Sequence, residues 1–279
     1  MTSPEPGPRA LNKFVDTLPA EGSFSIWAGP VVGKAVFTHD AEAPHYAAST
    51  MKLALVLAAY RQADAGSLDL NAQVVVHDDF ASAIGDAHFA MDRAEDSDAE
   101  PWRRIGSAVS IRWLAYRSIV RSSNLATNLV LDAVGLEPVA EALAAVGATG
   151  SVVDRGIEDA PARDAGRQNI VTARDLAVTL QALASGRAAS ADSCGEILDV
   201  LAAQQINDAI PAGLPVGTRV AHKSGWVEGI SHDAGIVYPP DTAPYIFVMC
   251  TSSELDEQAG LDLIAAAAAA SGQDRRVLT

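Results

Sequence analysis

The chain has 279 residues, of which 49% are hydrophobic, and it carries a formal net charge of −15 at pH 7. That apolar content supports a sizeable buried core and excludes a disordered chain. The acidic charge repels phosphate groups, so we expect neither a nucleic-acid partner nor binding to an anionic membrane surface. The length favours one compact unit with two lobes, and we expect a monomer.

Hydrophobic periodicity divides the chain into a helix and a hairpin, a mostly helical middle, and a final group of strands with one helix. The helix predicted at 51–64 is apolar on nearly every face, which is typical of a helix in the centre of a protein. The predicted elements, in chain order, are a helix at 8–18, strands at 22–30 and 33–40, helices at 51–64, 108–120, 123–135, 137–147 and 173–186, strands at 219–226, 232–239 and 245–253, and a helix at 254–272.

Strands from both ends of the chain can complete one antiparallel sheet flanked by the terminal helices. The sequence therefore predicts an α+β fold in which a sheet of about five strands packs beside a mostly helical second lobe. We assign residues 1–48 and 207–279 to the sheet lobe, and residues 49–206 to the helical lobe, of a single domain spanning 1–279. Because ligands usually bind in clefts between such lobes, we expect the site there.

Neither the acidic residues nor the cysteines form a pattern typical of a metal site. Within the stretch 77–106, five carboxylates lie between Asp92 and Glu100, without the glycine-containing pattern of a calcium loop. We interpret this acidic run as a solvated loop. Cys194 and Cys250 lack the spacing of a disulfide framework or a zinc site, so we interpret both as buried thiols.

No export or membrane-spanning segment is recognisable in the sequence. Residues 1–18 contain no basic segment followed by an apolar one, and no apolar stretch reaches the length of a membrane span. We therefore expect a cytoplasmic protein from the chain as written, and an extracytoplasmic one if a leader precedes it.

A serine and a lysine, Ser49 and Lys52, lie one helical turn apart at the start of the apolar helix, and the chain has only four lysines. On a helix, positions i and i+3 share a face, so Lys52 can reach the hydroxyl of Ser49. A serine hydroxyl becomes a good nucleophile when a neighbouring base takes its proton, and a lysine is such a base when burial lowers its pKa. The alternative is a helix-capping serine beside a lysine that extends to solvent.

Two further motifs favour the catalytic interpretation. The chain contains S-x-N at 122–124 and K-S-G at 223–225, after S-x-x-K at 49–52. Together, and in this order, the three motifs resemble the set found in class A β-lactamases and penicillin-binding proteins. The resemblance extends over most of the chain and implies the fold described above, with the additional residues of this chain at 77–106.

The resemblance implies a role for each residue of the first two motifs. Ser49 would attack the β-lactam carbonyl, and Lys52 would take or relay its proton. Ser122 would pass a proton to the departing ring nitrogen, while Asn124 would hydrogen-bond the amide side chain of the substrate.

The third motif is implied to bind the substrate. Lys223 and Ser224 would hold the substrate carboxylate, and Gly225 would let the strand approach closely because it has no side chain. The backbone N–H groups of Ser49 and Trp226 would form the oxyanion hole. The large Trp226 side chain departs from the family pattern and can crowd the cleft.

Deacylation is where the match to the family is weakest. In class A enzymes a glutamate, two residues after an arginine that corresponds to Arg155, activates the deacylating water. This chain has Ile157 at that position, and the nearest carboxylates are Glu158 and Asp159. We take Glu158 as the base; Asp159, another way of activating water, and a pair of solvated loop charges remain alternatives. Asn128 matches an asparagine that ties this loop to a helix, which favours a loop in the usual place.

Other catalytic arrangements lack support in the sequence. There is no G-x-S-x-G elbow and no H-E-x-x-H metal motif. His232 and Asp233 are adjacent, but neighbouring residues of a strand point to opposite faces, so we interpret His232 as structural.

The sequence thus predicts a class A β-lactamase-like serine hydrolase that opens β-lactams through an acyl-enzyme at Ser49, with no metal or organic cofactor. One alternative is a D-alanyl-D-alanine carboxypeptidase or an esterase on the same scaffold. The other is a penicillin-binding or sensing module that is acylated and then stalls, which the isoleucine at position 157 favours. The substrate is in every case a small β-lactam, acyl-peptide or ester.

Overall fold

The order of helices and strands in the computed structural model follows the predicted outline, and the structure describes residues 7–279. Residues 1–6, which the predicted sheet lobe includes, lie outside the described residues. The helices are α1 (Arg9–Val15), α2 (Lys52–Asp64), α3 (Ala99–Trp102), α4 (Ile111–Val120), α5 (Asn124–Val134), α6 (Leu136–Val146), α7 (Ala160–Asp164), α8 (Ala173–Ala184), α9 (Ala191–Ala202) and α10 (Glu257–Leu278). The strands are β1 (Ser23–Pro30), β2 (Phe37–His39), β3 (His45–Tyr46), β4 (Gln73–Val75), β5 (Asp79–Ala81), β6 (His88–Ala90), β7 (Ala108–Ser110), β8 (Ile170–Val171), β9 (Arg219–Val227), β10 (Ile230–Tyr238) and β11 (Tyr245–Ser252).

A five-stranded antiparallel sheet joins the two ends of the chain. Its strand order is β2-β1-β11-β10-β9, so the first strand of the chain lies between the second strand and the last. The register pairs Ser23 with Ser252 and Pro30 with Tyr245. The predicted α+β class and the sheet built from both chain ends are confirmed.

Side chains alternate between the two faces of this sheet, as the period of two in a strand requires. On β11, Phe247 and Met249 belong to one apolar cluster, which also contains residues of α1 and α10. Ile246 and Val248 belong to the other cluster, together with residues of α2, α5 and α8. The terminal helices therefore cover one face, and the helical part of the molecule covers the opposite face.

Helix α2 is at the centre of the helical part. Its first nine residues are all buried, which agrees with the apolar pattern on every face. It packs against α5, α6 and α9, and it begins beside β9 of the sheet. The boundaries proposed between the two lobes, at 48/49 and 206/207, stay a prediction.

Several local expectations differ from the structure, and the strand predicted at 33–40 is limited to Phe37–His39. The segment 108–120, predicted as one helix, begins as strand β7 and turns into α4 where the Ser110 hydroxyl accepts a hydrogen bond from Trp113 N. Helix α9 was not predicted, because Gly195 and several polar residues weaken its pattern. In the structure, Ile197 and Leu201 supply its buried face.

The expectation that the acidic run is a solvated loop is wrong for two of its carboxylates. Asp98 is buried and forms an ion pair with Arg117 of α4. Asp96 accepts hydrogen bonds from Leu125 N (2.8 Å) and Trp102 Nε1 (2.9 Å). A hydrogen bond with α5 and an ion pair with α4 therefore hold this acidic run against the start of α5.

The remaining expectations about composition concern the cysteines and membrane helices. Cys194 and Cys250 are free and buried, as predicted. Among the helices formed by residues 7–279, none is both long enough and apolar enough to cross a membrane.

Candidate active site

The candidate nucleophile lies on a tight turn that leads into α2. Ser49 belongs to a single 3₁₀ turn, Ala48–Met51, and the backbone of Ala48 is left-handed with a φ of 44°. Ser49 is partly exposed and lines a cleft of about 1130 Å³. A serine displayed on a strained turn at the floor of an open cleft is accessible to a substrate carbonyl.

Strand β9 approaches this turn so closely that only glycine fits opposite it. A Cβ atom placed on Gly225 would lie 2.7 Å from Ser49 N and 2.8 Å from Thr50 N. Both contacts would be with backbone atoms, which cannot move aside as the end of a side chain can. The K-S-G motif at 223–225 is therefore held directly against the nucleophile turn.

Two buried lysines converge on the hydroxyl of Ser122. Lys52 Nζ donates to Ser122 O (2.7 Å), Asn124 Oδ1 (2.8 Å) and Ser122 Oγ (3.3 Å). Lys223 Nζ donates to the same Ser122 Oγ (3.0 Å) and to Ser224 O (2.6 Å). A left-handed backbone at Ser122, with a φ of 54°, turns its carbonyl and hydroxyl toward these ammonium groups.

The sequence places the Ser49 hydroxyl within reach of Lys52, but the hydrogen bonds that Lys52 Nζ forms among residues 7–279 do not include it. The ammonium group is instead bonded to residues of the S-x-N motif. The sequence motif places Lys52 one turn from Ser49, but the residues that hold its side chain come from the turn before α5. Proton transfer from Ser49 thus requires Lys52 to exchange one of its present bonds.

Burial lowers the pKa of both lysines. The pKa of Lys52 falls well below 10.5, first because the side chain is desolvated and second because Lys223 is near; Asp96 and Glu158 oppose the shift. Burial lowers the pKa of Lys223 to about 7, with Asp233 acting in the opposite direction. Lys223 can therefore lose and regain a proton near neutral pH, and Lys52 gives up its proton more readily than an ordinary lysine.

Two of the predicted substrate-binding residues, Asn124 and Trp226, line the same cleft, whereas Lys223 and Ser224 of β9 are buried. Among the described residues, the Oγ of Ser224 has no hydrogen-bond partner. The Asn124 side chain is already engaged: Oδ1 accepts from Lys52, and Nδ2 donates to Glu95 O at 3.0 Å. To bond a substrate amide, Asn124 must use its remaining donor and acceptor capacity.

Asn128 fixes the loop that begins at Asp154 to helix α5. Its Nδ2 donates to Ile157 O and its Oδ1 accepts from Ile157 N, both at 2.8 Å. The structure thus contains the tie that the sequence predicted for Asn128. The Ile157 side chain also lines the cleft, at the position where the family resemblance expects a glutamate.

Glu158 also lines the cleft, from a left-handed backbone position with a φ of 63°. Its Oε2 accepts from Asp92 N (2.7 Å), whereas its Oε1 is buried without a partner. Burial raises the pKa of Glu158; the Asp92 N–H opposes this shift, and the charges of Asp96, Asp92 and Glu95 add to it. A half-buried carboxyl with a raised pKa and a free oxygen can act as a general base.

Asp159 is not a solvated loop charge. It is 1% exposed, and its two oxygens accept from Ser82 Oγ (2.7 Å), Ala83 N (2.8 Å) and Ala162 N (3.0 Å). Since protein donors occupy both oxygens, Asp159 holds backbone segments together, and Glu158 is the carboxylate with a free oxygen.

His232 and Asp233 face different surroundings. His232 Nε2 is 2.8 Å from Tyr46 O, and its ring is in edge contact with that of His45. Asp233 is paired with His222 at 2.9 Å on the other face of the sheet. The interpretation of His232 as structural agrees with these contacts.

Sequence reasoning missed two groups that shape the site. Asp96 accepts from Ser123 Oγ and Leu125 N and so supports the turn that carries Ser122. The Asp92 backbone N–H holds Glu158. The only available signal was the acidic run itself, which does not show which of its members are buried. Among residues 7–279, no group of three or more His, Cys, Asp or Glu side chains is arranged to hold a metal ion.

Comparison with known proteins identifies the family. Residues 9–273 match the family model described as the beta-lactamase enzyme family, so the chain belongs to this family. A β-lactamase of Bacillus amyloliquefaciens is 28% identical over 153 residues, which cover 53% of this chain and 50% of that protein. The match thus spans about half the length of this relative.

Solved structures agree over nearly the whole chain. A β-lactamase from Sphaerobacter thermophilus has a TM-score of 0.80 at 28% identity, with 97% of each chain covered. PBP-A has a TM-score of 0.81 at 21% identity, also with 97% of each chain covered. A point variant of PBP-A, in an acyl-enzyme complex with penicillin G, has a TM-score of 0.82 at 22% identity and covers 99% of this chain and 100% of that one. The β-lactamase fold is confirmed, and the family supports a β-lactamase-like serine hydrolase.

Proposed function

We propose that this protein opens β-lactam rings through an acyl-enzyme at Ser49 and then hydrolyses that ester. The observation that carries the proposal is the convergence of two buried lysines on Ser122 Oγ, in the same cleft as Ser49. Because burial lowers the pKa of both Lys52 and Lys223, this cluster can accept and donate a proton more readily than ordinary lysines can.

In the acylation step, Ser49 Oγ forms a bond to the β-lactam carbonyl carbon, and its proton passes to neutral Lys52. The bond between that carbon and the ring nitrogen then breaks. Ser122 gives its hydroxyl proton to the nitrogen and is reprotonated by Lys52, so the net result is the loss of one proton from Ser49 and the gain of one by the ring nitrogen. The backbone N–H groups of Ser49 and Trp226 would stabilise the oxyanion, a contribution of about 3–4 kcal/mol per donor in other hydrolases.

The K-S-G motif would bind the carboxylate of the substrate. The unpartnered Ser224 Oγ and the ammonium of Lys223 are suited to a carboxylate, because a charged acceptor forms the strongest hydrogen bonds with such donors. Gly225 would keep this strand close enough to Ser49 for one ligand to reach both. Neither a metal nor an organic cofactor enters this scheme.

In the deacylation step, Glu158 would take a proton from a water molecule as that water attacks the ester carbonyl. Ser49 Oγ would leave with the proton that Glu158 took from the water, so that Glu158 returns to its carboxylate form and the opened β-lactam acid is released. The free Oε1 and the raised pKa of Glu158 support this role.

A second candidate function is a penicillin-binding or sensing module that is acylated and stalls. The specific observation that favours it is Ile157, which occupies the place of the family's glutamate. A D-alanyl-D-alanine carboxypeptidase or an esterase would use the same acylation machinery on an acyclic substrate.

The test is a time course of intact protein mass after mixing with excess benzylpenicillin, with Ser49→Ala as the control. A transient gain of the drug's mass with accumulating penicilloate supports the lactamase. A persistent adduct that Ser49→Ala lacks indicates the stalled module. Absence of both adduct and penicilloate overturns β-lactam chemistry, and release of D-alanine from an acyl-D-Ala-D-Ala peptide would then indicate the carboxypeptidase.

A further inference from the structure

Glu158 is hydrogen-bonded to Asp92, which belongs to the stretch 77–106, and this stretch contributes none of the groups proposed for acylation. Its left-handed backbone is unfavourable for a residue with a side chain and persists only where the surroundings enforce it. One of its oxygens accepts from Asp92 N, two residues after β6, and the other has no partner among residues 7–279. Its own contacts are therefore too few to fix its position.

The residues on either side of Glu158 are each fixed to a different element. Ile157 is tied to Asn128 of α5 through both its N–H and its carbonyl. Asp159 is tied to Ser82 and Ala83, in the turn between β5 and β6, and also to Ala162 N at the start of α7. The backbone at Glu158 is thus held from both directions.

The hairpin formed by β5, β6 and their turn, residues 79–90, provides one of these two anchors. Asn128 Nδ2 also contacts Met91 Sδ (2.9 Å), so the residues that follow the hairpin reach the second anchor as well. The hairpin belongs to the stretch 77–106, where the sequence placed the residues additional to the family pattern.

We propose that Asp159 and the hairpin turn at Ser82 and Ala83 form a clamp that positions Glu158 for deacylation. The proposal rests on the proposed function, because it presumes an acyl-enzyme at Ser49. Asp159 acts through Glu158 and is a positioning residue, since protein donors occupy both its oxygens.

The clamp would affect deacylation without affecting acylation. The hydrogen bonds of Lys52 and Lys223 run to Ser122, Asn124 and Ser224, none of which belongs to residues 79–90. Loosening the hairpin turn would therefore leave acylation intact and misplace only the deacylating base. A displacement of about 1 Å at a catalytic group can cost roughly a hundredfold in rate.

The test compares Asp159→Asn and Ser82→Ala with the wild-type protein. Reactions with benzylpenicillin are quenched at successive times and the protein mass is measured by mass spectrometry. Acylation and deacylation rates are measured separately, and deacylation is followed across pH. We expect deacylation to slow by about tenfold to a hundredfold, with acylation changed less than about twofold. The acid-side midpoint of deacylation should move to lower pH, because a released Glu158 becomes solvated and its raised pKa falls.

Two matched variants sharpen the comparison. Asp164→Asn makes the same change five residues further along, where the carboxylate is exposed and pairs only with its neighbour Arg163; it should leave both rates unchanged. Ser82→Thr keeps the hydroxyl and should retain most of the deacylation rate that Ser82→Ala loses.

Two outcomes overturn the clamp while acyl-enzyme formation still supports the nucleophile at Ser49. These are unchanged deacylation in both Asp159→Asn and Ser82→Ala, and an equal loss of acylation and deacylation. A wild-type adduct that never turns over would overturn the clamp together with the deacylation step of the proposed function. If the wild-type protein forms no adduct and releases no penicilloate, the proposed function itself fails, so the two failures are distinguishable.

Discussion

Lys52 and Lys223 share one hydrogen-bond acceptor, the hydroxyl of Ser122, at 3.3 and 3.0 Å. Both lysines are buried, and the nearby charge of Lys223 contributes to the lowered pKa of Lys52. The folded protein therefore contains two lysines whose charged forms are costly, at the place where the proposed reaction needs a base. Buried ionisable groups that lower stability but have a shifted pKa are typical of catalytic sites.

The titration of Lys223 should be visible in the pH dependence of stability. Its pKa is about 7 in the folded protein and 10.5 ordinarily, so between these values the unfolded chain binds a proton that the folded chain has lost. The free energy of unfolding should thus rise with pH in this window, relative to a Lys223→Met variant, by a few kcal/mol in total. Urea unfolding of both proteins from pH 6 to 10.5 measures the difference. Curves that stay parallel over the whole range would contradict this expectation.

Substitution of Gly225 should disrupt the contact between β9 and the nucleophile turn. In Gly225→Ala the new Cβ would lie 2.7 Å from Ser49 N, so the strand must shift. We expect a loss of about 1–3 kcal/mol in stability and slower acylation by benzylpenicillin. The control is Gly195→Ala, on the exposed face of α9 with nothing within 4 Å, which should stabilise by about 0.5–1 kcal/mol. Equal thermal stability and acylation in Gly225→Ala and the wild-type protein would show that the turn can move aside.

Glycine at position 158 should separate backbone strain from catalysis. Glu158→Gly removes both the carboxylate and the strain of a left-handed residue with a side chain, whereas Glu158→Gln removes only the charge. Both variants should accumulate the acyl-enzyme, and Glu158→Gly should be the more stable by about 1 kcal/mol. Denaturant unfolding and intact mass measure the two effects. Wild-type deacylation in Glu158→Gln would exclude this residue as the base.

The ion pair of Asp98 and Arg117 should be important for stability. Asp98→Ala leaves the mostly buried Arg117 side chain without its partner, and we expect a loss of about 3–5 kcal/mol. Glu100→Ala, which breaks the exposed pair with Arg103 in the same run, should cost less than about 1 kcal/mol. Thermal unfolding of the two variants provides the comparison. Similar small losses in both would restore the interpretation of the run as solvated.

Periodicity predicted the sheet and the helical middle because burial in those elements follows a repeating pattern. Ile246 to Met249 alternate between two cores, and the start of α2 is buried on every face. Periodicity could not predict that Asp98 is buried, because its burial depends on the ion pair with Arg117 of another helix. The same holds for α9, because the helix is stabilised by the packing of Ile197 and Leu201, whereas the hydrophobic periodicity of the segment is weak.

The candidate site shows a similar division. The spacing of the three motifs identified Ser49, Lys52 and the K-S-G strand as candidate site residues, because nucleophilic catalysis by serine requires those residue types. It did not show that Lys52 is bonded to Ser122 and Asn124, since that contact is set by the turn before α5. Nor could it show that a left-handed backbone carries Glu158 into the cleft, one residue later than the family pattern.

The pairing of β1 with β11 also sets the order of events during synthesis on the ribosome. Strand β1 can pair with β2 early, but its other edge has no partner until β11 (Tyr245–Ser252) has emerged, more than 200 residues later. At roughly 5–20 residues per second, this lasts on the order of ten to forty seconds, a period in which chaperones can protect the strand. Ser49 leaves the ribosome early and Lys223 late, so the candidate site cannot assemble, and the proposed acylation cannot occur, until Lys223 has emerged.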